Sequence, residues 1–120
     1  MSDPLPPGPL NSLAAAIHQN ALDHGWWDTP RSFGDIIALC HSELSEALEE
    51  YRNDRPPVYY PDSEDGAPAG KPEGLAVELA DCVIRILDYA AYAKIDLDAV
   101  LLGKHEYNKS RPYRHGGKKV

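Results

Sequence analysis

Apolar residues crowd the segment 74–94, GLAVELADCVIRILDYAAYAK, so densely that a helix drawn through it has almost no polar side. At about 100° per residue, Leu75, Leu79, Cys82, Val83, Ile86 and Ala90 fill one broad flank, which Val77, Ala80, Ile84, Leu87 and Ala91 extend. The polar positions form one stripe, Glu78, Asp81, Arg85 and Asp88, stepping by three or four. A helix apolar nearly all round is buried on most sides, so 74–94 is the expected centre of the fold.

Three further helices follow from the pattern. The first is capped at Asn11 or Ser12 and runs to about Trp27, with Leu13, Ile17 and Leu22 near one side. The second opens at Ser32 or Asp35 and continues through Tyr51 to about Asn53. The fourth is capped by Asp96, turns Leu97, Val100 and Leu101 inward, and ends before Pro112. Between the second and third lies a stretch of about 20 residues with five prolines and no period, a loop over 53–73. No strand pattern of useful length and no internal repeat is present. The expectation is an all-α, four-helix, bundle-like domain over 11–111, with a flexible proline-rich lead at 1–10 and a basic tail at 112–120. Roughly 90 foldable residues bury a modest core, so self-association is expected to complete it.

Charge sharpens the picture. Residues 1–98 hold 6 Lys/Arg against 18 Asp/Glu, a net −12, while residues 99–120 hold 6 against 1, a net +5. An acidic body argues against a duplex nucleic acid partner, which needs a basic face on the folded part. Cys40 and Cys82 both fall on apolar helix faces, as buried free thiols do in a reducing compartment. With no charge-free apolar run of ~18 residues and no basic-then-apolar leader pattern, the expectation is a cytoplasmic protein without a membrane partner.

The carboxylates are the unusual feature. Glu43 and Glu50 fall within the arc of Ile36, Leu39, Cys40 and Ala47, while Glu46 flanks it. A carboxylate in a buried arc costs several kcal/mol unless it is paired or binds a cation. The third helix repeats the arrangement with Glu78 and Asp81, again three apart and so on one face. If the two helices pack antiparallel, four carboxylates converge. Hard oxygen ligands suit Mg²⁺ or Mn²⁺; neither Glu43 nor Glu78 has the His three residues on that a di-iron site uses, and no helix carries a zinc-spaced His pair. Lys104, Asn108 and Arg111, at i, i+4 and i+7, offer the point charge, amide donor and fork that a polyphosphate needs, or else form a solvated helix end favoured by the macrodipole.

HSELSEALEEYR, KPEGLAVELADCVIRILDYA and KHEYNKSRPYRHGGK together resemble the MazG-like all-α nucleoside triphosphate pyrophosphohydrolases over roughly residues 13–118. The family pattern Glu-x-x-Glu then Glu-x-x-Asp matches Glu43/Glu46 and Glu78/Asp81. The resemblance implies Mg²⁺-dependent cleavage of a (d)NTP to (d)NMP and pyrophosphate, in nucleotide-pool sanitation, by a bundle that assembles into dimers or tetramers. It implies that Glu43, Glu46, Glu78 and Asp81 hold the metal, with Glu46 and Glu43 as catalytic carboxylates and Glu46 taking the proton of the attacking water. Lys104, Asn108 and Arg111 would then face the leaving pyrophosphate, and the region of His18, Trp26 and Trp27, where similar enzymes stack the base, would contact the base through His18 and Trp27. Two alternatives stand beside it: a phosphoribosyl-ATP pyrophosphohydrolase, which shares the acidic-pair chemistry, and a non-catalytic helical dimer that binds nucleotide or a protein partner.

Overall fold

A computed structural model describes residues 4–65 and 67–113, and among them the regular structure is helical: α1 (Pro9–Asp23), α2 (Phe33–Arg52), α3 (Leu75–Tyr92) and α4 (Leu97–Lys109). As the apolar pattern predicts, α3 is central. It packs against α2 on one side and α1 on the other, while α4 meets chiefly α1. Ala14, Leu87 and Ala91 form one core cluster, with Leu10, Ile17 and Leu97 packed on it. Ile36, Cys40 and Cys82 form a second, covered by Trp27 and Tyr89. Both cysteines are buried free thiols, and burial followed by the Cys82 thiol raises Cys40 above its ordinary pKa.

The first helix begins earlier than its expected caps. Pro9 occupies the first turn, where its missing N–H costs nothing, and Gly8 stands at the N-cap. Asn11 is instead buried and serves another helix: its Oδ1 accepts from Leu97 N at 3.1 Å and Asp98 N at 3.4 Å, and its Nδ2 donates to Asp96 Oδ1 at 2.8 Å. Asp98 returns the contact, accepting from Leu10 N at 3.1 Å and Asn11 N at 2.7 Å. The starts of α1 and α4 thus satisfy each other's orphan donors, and a Cβ at Gly8 would collide with the Asp98 carboxylate. The described part of the expected free lead, residues 4–10, is accordingly engaged, with Pro6 O accepting from Asn11. Of the expected basic tail, residues 114–120 lie outside the described residues.

Three helices stop in the same way. After α1, Gly25 N donates to Leu22 O and Trp26 N to Ala21 O, with Gly25 at φ +80°. After α2, Asp54 (φ 54°) and Arg55 repeat the paired bonds to Tyr51 O and Glu50 O; after α3, Lys94 (φ 59°) and Ile95 repeat them to Ala91 O and Ala90 O. This turn ends α1 at Asp23 and throws Trp26 and Trp27 out of the helix in which the periodicity counts them. The long connection is clasped at its ends, since Tyr59 and Glu73 exchange backbone bonds of 2.8 Å each way and the Tyr59 hydroxyl donates to Glu50 at 2.9 Å. The carboxylate of Glu50 in the apolar arc is thereby accounted for, and its bond pushes the phenol up to about 12.

Within one chain the core is open. The radius of gyration is 17.5 Å, against about 14 Å for a compact domain of this length. Val100 and Leu101, expected inward, are 58% and 51% exposed because α4 meets little but the start of α1. Leu44 and Leu48 on α2, and Leu79, Val83 and Ile86 on α3, are exposed as well.

Candidate metal and nucleotide site

The packing of α2 on α3 brings carboxylates together across the seam. One oxygen each from Glu43, Glu46 and Glu78 lies within 4.8 Å of the others. Glu43 is buried, Glu78 half-buried and Glu46 exposed, so the cluster runs from the helix seam to solvent. Glu78 Oε2 is buried with no hydrogen-bond partner. Burial, then the neighbouring carboxylates of Glu46 and Glu43, push Glu78 up to about 8. Asp81, one turn on, is raised by burial and by Glu43, while Arg85 pulls the other way. At neutral pH a proton therefore holds one carboxyl of the group neutral, which is how like charges in close quarters share a site.

Arg85 is the resident countercharge. Its Nε and Nη2 each lie 3.0 Å from Glu43 Oε1. It stood in the polar stripe of α3, but its pairing with α2 is a long-range contact that periodicity does not reveal. Beside the carboxylates opens a cavity of about 400 Å³ lined by Glu43, Asp81, Arg85, Asp88, Trp26 and Asn20, among others. Arg31 and Arg85 stack toward the Trp26 ring at 3.8 and 5.3 Å from its centroid, and Arg31 Nε donates to Trp26 O.

His18 and Trp27, the expected base contacts, do not line this cavity. Trp27 stacks flat on Tyr92, with centroids 4.2 Å apart and planes at 6°, and its Nε1 donates to Asp88 Oδ1 and Oδ2 at 3.1 and 3.2 Å. His18 Nδ1 lies 2.7 Å from Asp88 Oδ1; a carboxylate oxygen only accepts, so that nitrogen carries the proton. Both side chains are thus committed to a buried carboxylate, and Trp26 faces the cavity in their place. Trp26 belongs to the same aromatic region, but α1 ends before it, so its ring direction comes from the turn at Gly25 and not from the helix.

Lys104 and Asn108 are exposed, and both Lys104 and Arg111 lean on the Tyr107 ring at 4.8 and 5.9 Å. Within one chain these groups do not line the carboxylate cavity. No protein-family model matches the chain, and neither a curated protein nor a solved structure matches it. No described helix is long and apolar enough to cross a membrane.

Proposed function

We propose that this chain is a Mg²⁺-dependent nucleoside triphosphate pyrophosphohydrolase that works as a homodimer or a larger homo-oligomer. One observation carries the proposal: three carboxylates of two helices converge within 4.8 Å, and one of their oxygens is buried without a partner. A buried acceptor with no donor is costly, and a hard cation is the ligand that relieves it. Glu43, Glu46, Glu78 and Asp81 fit Mg²⁺ by their chemistry, all oxygen donors with no soft ligand among them; Mn²⁺ is the natural substitute. Bound there, the ion supplies Lewis acidity toward phosphate oxygens. Glu46, the exposed member, is the carboxylate available to take a proton from an attacking water. Trp26 offers its ring to the base, and the adjoining cavity has room for a nucleoside. The resemblance of the acidic pairs to MazG-like enzymes supports the same reading.

Lys104, Asn108 and Arg111 reach a phosphate chain in this reading when α4 is completed by a second copy, which also covers the exposed faces of α2, α3 and α4. The protein is therefore expected to sediment as a dimer or larger. Val83→Asp, placed in the 49%-exposed patch of α3, should yield monomer by sedimentation velocity. A wild-type monomer at micromolar concentration would remove the assembly from the proposal.

The deciding experiment incubates the protein and Mg²⁺ with a panel of NTPs, dNTPs and phosphoribosyl-ATP, reading products by phosphorus NMR. The expected result is pyrophosphate and a mononucleotide from one or more of the (d)NTPs. Release of orthophosphate alone, or no turnover together with no Mg²⁺-dependent rise in melting temperature, overturns the proposal. Turnover restricted to phosphoribosyl-ATP selects that relative instead.

A further inference from the structure

Arg85 joins the two halves of the site. Its Nε and Nη2 both address one oxygen, Glu43 Oε1, at 3.0 Å each. An arginine fully engaged with a carboxylate makes two parallel bonds to two oxygens. Here the fork is folded onto one, and the side chain stays 27% exposed while lining the cavity beside Trp26. The guanidinium carbon lies 5.3 Å from the Trp26 ring centroid, so the same group touches the aromatic wall and the carboxylate cluster. Asn20 adds an amide to that wall.

We infer that Arg85 is the specificity-determining residue for the phosphate that stays with the nucleoside, exchanging Glu43 for that phosphate when divalent cations occupy the carboxylates. The inference rests on the nucleotide-hydrolysing reading above and deepens it. A dication at the cluster replaces the arginine's charge as the counter-ion of Glu43. The planar, always-charged fork is then free for a phosphate, whose geometry it matches better than an ammonium does. Its contact with the Trp26 ring keeps the freed group in the cavity. An anion bound there sits between ring and carboxylates, where the first phosphate of a nucleotide lies if its base stacks on Trp26. The site then selects a nucleoside 5′-monophosphate unit over bare pyrophosphate.

The test measures binding by isothermal titration, for wild type, Arg85→Gln and Arg85→Lys, with Mg²⁺ alone and then, at saturating Mg²⁺, with a set of nucleoside 5′-monophosphates and with inorganic pyrophosphate. Arg85→Gln should bind Mg²⁺ about three- to tenfold more tightly, having lost a competing cation. It should bind the best monophosphate about ten- to a hundredfold more weakly, the worth of a charged hydrogen bond, with pyrophosphate unchanged. Arg85→Lys should keep the wild-type Mg²⁺ affinity and still lose monophosphate affinity, and it answers the question if the glutamine variant does not fold. A purely structural arginine would weaken both ligands together, and that result, or unchanged monophosphate affinity in a folded variant, or no monophosphate binding by wild type, overturns the inference. If wild type releases pyrophosphate from a triphosphate while the variants bind monophosphate normally, the inference alone fails. If wild type releases none but binds monophosphate through Arg85, the hydrolase reading fails and the anion site stands.

Discussion

Glu78→Gln should lower triphosphate turnover by about 100-fold or more and, without added metal, raise the melting temperature at pH 8. Both effects come from one side chain held half-buried among carboxylates, with an orphan oxygen and a pKa near 8 in place of its ordinary 4.5. The folded protein retains a proton that the unfolded chain gives up near pH 4.5. Stability contributed by this group is therefore full below about pH 4.5 and is lost as pH climbs through about 8. Asp81, raised in the same direction, adds to the slope. Glutamine carries no such proton, so the variant's melting temperature should be flatter across that window. Mg²⁺ reverses the trend in wild type, because the cation takes the proton's place and favours the folded state by mass action, increasingly so toward pH 8. Differential scanning fluorimetry in chelator and in Mg²⁺, from about pH 5 to 8, checks the thermodynamics; pyrophosphate release checks the chemistry. Wild-type turnover in the variant, or a wild-type melting temperature indifferent to both pH and Mg²⁺, would sink the assignment.

Asp88→Ala should destabilise the fold by about 2–4 kcal/mol in denaturant unfolding. Asp88 is buried and accepts from His18 Nδ1 and from Trp27 Nε1. Its removal strands two partly buried donors at once and loosens the Trp27 ring from the stack on Tyr92. Asp88→Asn keeps an acceptor oxygen and should cost less than half as much. Indole fluorescence should shift red in the alanine variant before global unfolding, reporting the freed ring. If Asp88→Ala is as stable as wild type, the His18–Asp88–Trp27 unit does not hold α1, the following turn and α3 together.

The parts of this molecule that periodicity makes legible are those set by neighbours three and four residues away. The centrality of α3 follows from its nearly unbroken apolar surface, and the convergence of Glu43, Glu46 and Glu78 follows from carboxylates intruding on apolar arcs of two packed helices. What periodicity does not carry are partners 40 to 90 residues distant. Glu43 with Arg85, and Asn11 with Asp96 and Asp98, are polar residues whose burial makes sense only once their counterpart is in place. Asp98, inconspicuous in the sequence, caps a helix 88 residues away in number. The ends of α2 and α3 fall within about two residues of where the pattern puts them, although Asp54 and Lys94 take the left-handed turn usually signalled by glycine, whereas α1 stops about four residues short of Trp27. That Trp26 and not Trp27 lines the cavity beside the carboxylates follows from the end of α1: past Asp23 the 3.6-residue count no longer says which way an indole points.

The mutual tether between Leu10–Asn11 and Asp96–Asp98 makes the beginning of the chain part of the hardware of its last helix. Trimming the polypeptide to start at residue 12 would look harmless on a hydropathy plot. It would nonetheless unhook the root of α4, and with it the bearing of the cationic segment that the helix carries outward.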